Sequence, residues 1–252
     1  MSKSPSKEPE TAPLVAIVIP MKDEADNLPG LFEEIDQALA GRWPFEVVAV
    51  DDGSEDATRD VLRMEMTRWP WLKARGHRAC AGKSAAIRTG AAATGARFIV
   101  TMDGDGQNNP ADVPAMIDKL LDESRPVALV CAERTGRTDS GLKRMASKLA
   151  NRVRGSLLGD NTRDTANGLK AMRRDVYLTL PFFDTMHRFF PALVAREGLG
   201  VGHIDVIDRS RRHGTSKYGI WDRLAVGVPD LFGALWLRRR RKVVPVIEEI
   251  EK

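Results

Sequence analysis

Cysteine is scarce: Cys80 and Cys131 are the only two in 252 residues, and they share no metal-ligand spacing. That excludes a disulfide-stapled scaffold or a zinc ribbon and predicts two reduced thiols. Long apolar runs are missing as well. The longest stretch without Asp, Glu, Lys or Arg is residues 11–21, eleven positions, whereas a membrane-spanning helix needs about 20 apolar residues. The opening residues, MSKSPSKEPETAP, have no apolar segment of the signal-peptide kind. Charge of one sign is not in excess either: 39 Lys and Arg against 35 Asp and Glu leave +4, too little to argue for a nucleic-acid partner. What remains is ordinary for a globular chain, with 42% hydrophobic and 29% charged residues. That is enough apolar material for a sizeable core and rules out general disorder. The length fits one α/β domain or at most two.

Residues 1–13 are rich in Ser, Pro, Lys and Glu and are expected to form a disordered tail. The body then alternates. Apolar, β-branched runs predict strands at 15–19, 46–50, 72–75, 98–102 and 127–132. Helical spacing predicts helices at 28–39, 57–67, 83–93 and 110–121. Asn109 suits a helix cap and Pro110 the first helical position. Alternation of this kind implies a mostly parallel sheet, with ligands bound beyond the carboxyl ends of its strands. After about residue 135 the pattern loosens. A basic amphipathic helix is expected at 142–158, a strand at 168–172, a helix at 186–197, an alternating strand at 203–209 and an ordered end at 221–241.

Two acidic clusters follow strands directly: Asp51 and Asp52 after EVVAV, and Asp103 and Asp105 after FIVTM. Asp-Gly is also common turn chemistry, but two clusters on one sheet edge point further. Asp103-Gly104-Asp105-Gly106-Gln107 sets carboxylates two apart in a turn, as suits Mg²⁺ shared with phosphate oxygens. An EF-hand is excluded, because its sixth position would be Asn108 and its twelfth Pro114. Gly82-Lys83-Ser84 is no P-loop, because His77 stands where the first glycine belongs.

Taken in order, Ile19-Pro20-x-x-x-Glu24, Val50-Asp51-Asp52-Gly53-Ser54 and Asp103-x-Asp105-x-Gln107 resemble the inverting GT-A glycosyltransferases of family 2. His213-Gly214-Thr215-Ser216-Lys217-Tyr218-Gly219 is similar to the dolichol-phosphate mannose synthase branch and to bacterial enzymes that make polyprenyl-phosphate sugars. The resemblance runs from about Leu14 to Trp236. It implies an α/β, Rossmann-like GT-A single domain over 14–220, with a mostly parallel central sheet. A membrane-surface amphipathic helix and basic tail would occupy 221–252. It further implies transfer of a sugar from a GDP- or UDP-hexose to a polyprenyl phosphate, with Mg²⁺ or Mn²⁺ as cofactor.

By the same resemblance Pro20, Lys22, Glu24, Val50, Asp52, Lys83, Asp103 and Gly104 hold the nucleotide sugar. Asp103, Asp105 and Gln107 hold the metal. Arg134, Arg211 and Lys217 meet the acceptor phosphate, with Asp105, Arg134, Arg211 and Lys217 counted as catalytic; Lys143, Arg144 and Ser147, one turn apart on one helix, suit the acceptor phosphate or an ordinary solvated basic face. The sequence departs from the pattern at Lys22 and Asp23, where Tyr or Asn is common, and at Gly106, where the dolichol-type pattern has Leu. His187 and Arg188 stand where other family 2 enzymes place an acidic base, and His187 also suits a structural role. A phosphate acceptor is already ionised near neutral pH and needs cations more than a base. The alternative is transfer to a saccharide hydroxyl, for which Asp184 is the carboxylate candidate in segment 184–188. A nucleic-acid-binding module would leave both acidic clusters unexplained. At the carboxyl end LAVGVPDLFGALWL, broken by Pro229 and Asp230, precedes five cations at 238–242. An interfacial helix and a core-packing helix both fit that pattern. The expected place of action is the cytoplasmic face of the cell membrane, with peripheral attachment and Leu231, Phe232, Leu235 and Trp236 entering the headgroup boundary.

Overall fold

The computed structural model of the chain describes residues 12–135, 155, 158–159, 162–207, 209 and 220–242. Within them one sheet is built from β1 (Val15–Met21), β2 (Phe45–Asp51), β3 (Leu72–Gly76), β4 (Phe98–Thr101), β5 (Leu129–Thr135), β6 (Lys170–Arg173) and β7 (Val201–Ile207). The order is β3-β2-β1-β4-β6-β5-β7. Every neighbouring pair is parallel except those made by β6, which runs antiparallel to both β4 and β5. The helices are α1 (Leu28–Leu39), α2 (Thr58–Arg68), α3 (Lys83–Ala92), α4 (Val113–Leu121), α5 (Arg174–Thr179), α6 (Phe190–Arg196) and α7 (Ile220–Arg239).

The central strand shows why unbroken apolar runs became strands. Along β1, Val15, Ile17, Ile19 and Met21 enter the core that holds Leu28, Phe32 and Ile35 of α1 and Met116 and Ile117 of α4. Ala16 and Val18 enter a second core with Ile87 and Ala91 of α3 and with Leu193 and Val194 of α6. Both faces are covered, so successive side chains leave water on opposite sides and no polar alternation is needed. Pro20 fits because the ladder to β4 ends at Val18 opposite Thr101, leaving it paired only with Val50 of β2. Asn109 does act as a cap, its Oδ1 accepting from the Ala111 N–H at 3.2 Å. Pro110 opens a single 3₁₀ turn before α4.

Beyond residue 126 several boundaries differ from expectation. β5 extends to Thr135, beyond the expected 132, because β7 pairs with it along its whole length. β7 begins at Val201, two residues early, where the Gly200 carbonyl accepts from Ala128 N–H at 2.8 Å. The single helix expected at 186–197 divides into a 3₁₀ turn, Met186–Arg188, and α6. Thr185 with φ 58° enters the turn in the left-handed region, and Pro191 lies in the first turn of α6, where no N–H is missed. α5 was not foreseen. The helix expected at 142–158 lies outside the described residues except at 155 and 158, which are helical.

α7 packs on the domain as well as facing outward. Leu231, Ala234, Leu235 and Leu237 lie against the second core, so Leu231 and Leu235 are not the outward residues the sequence pattern suggested. Phe232 and Trp236, one turn apart, remain 66% and 58% exposed, and the Arg240 guanidinium stacks over Trp236 at 5.8 Å. The Thr185 hydroxyl donates to Asp230, Arg196 Nε to the Leu237 carbonyl at 2.9 Å, and Arg241 Nη2 to the Glu197 carbonyl at 2.9 Å. Among the described residues no helix is long and apolar enough to cross a membrane.

Candidate active site

Parallel pairing brings the carboxyl ends of β1, β2, β3, β4, β5 and β7 to one edge. Because β6 is reversed, its first residue does the same: Lys170 lies opposite Thr101. The loops after β1 and β2 are tied together there. Asp23, at φ 57°, donates its N–H to Ser54 Oγ at 2.9 Å and accepts from Glu55 N–H through Oδ1 at 2.9 Å. Asp tolerates this backbone better than most residues. Glu24 N–H donates to Thr58 Oγ1 at 2.9 Å. Gly104 sits so close to this loop that a side chain there would touch Met21 and Glu24. The β1 loop carrying Pro20, Lys22 and Glu24 and the Asp103–Gln107 turn therefore share one wall.

The first acidic pair is used largely for construction. Asp51 is buried, accepting from Arg59 Nε at 2.5 Å and from Ser54 N–H at 3.0 Å. Asp52 grips the loop between β3 and α3. Its carboxylate faces His77 Nδ1 at 2.7 Å and accepts from the N–H groups of Ala81 and Gly82 at 2.8 Å and from Cys80 Sγ at 3.2 Å. Burial raises its pKa, but the hydrogen bonds from Ala81, His77, Cys80 and Gly82 outweigh that and hold it below the ordinary value. Gly53, with φ 75°, allows the close approach: a Cβ would lie 2.8 Å from Cys80 N. Asp52 thus shapes the loop that leads into Lys83. Val50 is fully buried with Val48 and Ala86, so its side chain faces α3 in the core.

The second pair lies in the turn after β4. Asp103 N–H donates to Asn108 Oδ1 at 2.9 Å, and Gly168 leaves the space its carboxylate occupies, which any side chain at 168 would fill. Asp105 is buried and accepts from Gln107 N–H at 3.1 Å. Two carboxylates in one turn, with no cluster of three His, Cys, Asp or Glu among the described residues, suit a hard cation that takes its other oxygens from water and phosphate. Gln107 Nε2 donates to the Arg209 carbonyl at 3.2 Å, linking the turn to the segment that leads toward Arg211 and Lys217.

Cations surround Asp103. Lys83, the first residue of α3, makes an ion pair with it. Lys170 is fully buried and donates to the carbonyls of Asn167 and, at 3.2 Å, Thr165. Burial, with repulsion from Lys83, lowers its pKa to about 8 against the pull of Cys131, Asp103 and Asp164. His187 lies nearby, its Nδ1 2.8 Å from Ser84 Oγ. Burial and the charges of Lys83, Lys170 and Arg188 hold its pKa well below the ordinary value, so it is neutral at physiological pH. Asp184 is exposed, and its Oδ1 would lie 3.4 Å from a Cβ at Gly82. Arg134 is engaged by Asp164 in a forked pair, Nε at 2.7 Å and Nη2 at 3.2 Å. Lys143, Arg144, Ser147, Arg211 and Lys217 lie outside the described residues. Sequence reasoning missed Lys170, Asp164 and Ser84. A lysine within the apolar stretch Leu169–Met172 was the available signal for the first; nothing marked the others.

A family model for glycosyl transferase family 2 matches residues 16–180, a span that contains both acidic clusters, Lys83, Arg134 and Lys170. The chain belongs to glycosyl transferase family 2. It is 33% identical over 232 residues to dodecaprenyl-phosphate galacturonate synthase of Rhizobium johnstonii, covering 89% of this chain and 67% of that protein. It is 31% identical over 207 residues to undecaprenyl-phosphate 4-deoxy-4-formamido-L-arabinose transferase of Pseudomonas fluorescens, covering 81% and 60%. The chain thus spans between three fifths and two thirds of the length of these relatives. Among solved structures it is similar to glucosyl-3-phosphoglycerate synthase of Mycobacterium tuberculosis crystallised with Mn²⁺, UDP-glucose and phosphoglyceric acid. The TM-score is 0.69 at 19% identity, covering 90% of this chain and 79% of that one. This likeness shows the GT-A type fold that the family resemblance implied.

Proposed function

We propose that this family 2 member is an inverting glycosyltransferase that moves a sugar from a nucleoside diphosphate to a polyprenyl phosphate. The observation that carries the reading is the charge around Asp103. Lys83 and Lys170 are cations, His187 is neutral, and the one carboxylate of segment 184–188, Asp184, is exposed. A phosphate nucleophile brings its own negative charge and needs cationic positioning, whereas a hydroxyl would need a base to take its proton. The polyprenyl-phosphate sugar transferases among the relatives support the same acceptor class.

In this reading the wall made by the β1 loop, Gly104 and the Asp52-anchored loop receives the donor. Asp103 and Asp105 would hold Mg²⁺ or Mn²⁺, which supplies charge stabilisation to the departing diphosphate. Lys83, at the amino end of α3, would face that diphosphate where a helix amino end favours phosphate. Arg134, oriented by its forked pair with Asp164, would meet the acceptor phosphate. Arg211 and Lys217, by family resemblance, close over the phosphates. An acceptor oxygen attacks the anomeric carbon in line with the leaving diphosphate, so the configuration inverts.

The acceptor places the work at a membrane surface, and α7 has the features for peripheral attachment on the cytoplasmic face. Phe232, Trp236 and Arg240 form one outward row next to the cations at 238–242, suited to an anionic leaflet. Neither acidic cluster suits nucleic acid, which is not expected to bind. Incubation with a polyprenyl phosphate and a panel of labelled UDP- and GDP-sugars, followed by lipid extraction, tests the function. Asp184 keeps transfer to a saccharide hydroxyl as a second reading: Asp184→Asn should abolish that reaction and leave transfer to phosphate intact.

A further inference from the structure

We infer that Lys83 competes with the divalent cation for Asp103, so that metal and nucleoside diphosphate enter the site together. The inference rests on the donor reading above and adds a coupling between the two ligands to it.

Asp103 is held close to its neighbours. Its N–H is fixed on Asn108 and its carboxylate fills the space left by Gly168. Lys83 can move, because a four-carbon stem carries its ammonium. It stands at the first position of α3, directly after Gly82 with φ 90°. A cation at a helix amino end is disfavoured by the helix dipole, and the pair with Asp103 offsets that. Among the described residues Lys83 has no other ion-pair or hydrogen-bond partner. Lys170 adds a second ammonium close enough to feel the charges of both Lys83 and Asp103.

A divalent ion arriving alone must therefore expel an ammonium that has no second acceptor among the described residues, in the presence of another ammonium. A diphosphate changes both terms. It offers Lys83 an anion at the helix amino end, where phosphate is favoured, and it supplies oxygens to the metal. Lys83 would pass from Asp103 to a phosphate oxygen as the metal takes the carboxylate. The two ligands should then promote each other's binding, and by linkage to the same extent.

The test measures free Mn²⁺ by its electron paramagnetic resonance signal, with and without UDP or GDP. The proteins are the full chain, Lys83→Met and Lys83→Arg, with Lys83→Gln as a second neutral variant should the Met form fold poorly. Without nucleotide, Lys83→Met should bind Mn²⁺ roughly tenfold or more tightly than the unaltered chain, while Lys83→Arg should behave like the unaltered chain. With nucleoside diphosphate that advantage should vanish or reverse, so the tightening caused by nucleotide shrinks by about tenfold in Lys83→Met. Equal Mn²⁺ affinity of the unaltered chain and both neutral variants without nucleotide would overturn the inference. No Mn²⁺ binding by any form, even with UDP or GDP, would overturn it together with the donor reading. A gain in Lys83→Met alongside failure to glycosylate any polyprenyl phosphate supports the inference and removes only the acceptor reading.

Discussion

Lys170 illustrates at the scale of one residue what the site costs the fold. Its pKa is about 8 in the native chain, against about 10.4 for an ordinary lysine. Below pH 8 the amine is charged in both states, and the native state bears the cost of holding it out of water. Between pH 8 and the unfolded value the unfolded chain binds the proton and the native chain does not, so this residue makes stability rise with pH. The full rise is about 3 kcal/mol. Lys170→Met should therefore stabilise the protein at pH 7, by less than that amount because the bonds to the Thr165 and Asn167 carbonyls are lost. Denaturant melts at pH 7 and pH 10 measure it: the advantage of Lys170→Met should shrink as pH rises, and an advantage independent of pH would show that the burial of charge is not the cause. Activity should fall in the same variant, as expected where a destabilising group serves a site. Thr185 bears a cost of another kind, in its backbone. A β-branched side chain at φ 58° is held by the bond from its hydroxyl to Asp230, and it sits two residues from His187.

Among the elements, α3 is the most constrained, because it carries Lys83 at one end and presses on the sheet with its middle. Gly90 makes that contact possible: a side chain there would collide with Val18 on β1, which is fully buried and stiff at χ1. Gly90→Ala should cost about 1–3 kcal/mol by overpacking, read as a lower denaturation midpoint, with unchanged stability as the contrary result. At the far end of the chain, α7 divides its labour. Arg241 is spent on Glu197 and Arg238 lies against Gly159, so the membrane reading belongs to Phe232, Trp236, Arg239 and Arg240. Replacing Phe232 and Trp236 by Ala and Arg239 and Arg240 by Gln should release the chain from anionic vesicles in flotation while leaving its melting unchanged. The binding of the unaltered chain should weaken with salt, because charge is screened over about 8 Å at physiological ionic strength. Equal flotation of both proteins would mean that α7 serves only to pack on the domain. Elements of this kind differ in how plainly the sequence announces them. VAIVI and EVVAV are strands on composition alone, because both faces are buried. The turn after α5 depends on Thr185 adopting a backbone that its own type disfavours, and no local pattern announces that. The amphipathic ambiguity of LAVGVPDLFGALWL was real, since the helix does pack on one side and face outward on another.

For the whole molecule, topology decides which charges meet. The acidic clusters could be placed on one edge from the sequence because parallel strands share an edge. Lys170 could not, because only the reversal of β6 turns the start of a strand toward that edge. Asp164 meets Arg134 from 30 positions away in the chain, a pairing that no local sequence pattern announces. That reversal adds Lys170 to Lys83 of α3 and the neutral His187 around Asp103, while Asp184, the carboxylate of segment 184–188, is exposed, and on that arrangement the account of a phosphate acceptor stands. The most direct test offers the protein one donor at a time, from labelled UDP- and GDP-sugars with Mn²⁺ present, with either a polyprenyl phosphate or the matching free polyprenol, and counts label in the lipid extract. The account predicts transfer to the phosphate with at least one donor and next to none to the alcohol; transfer to the alcohol at an equal rate would contradict it.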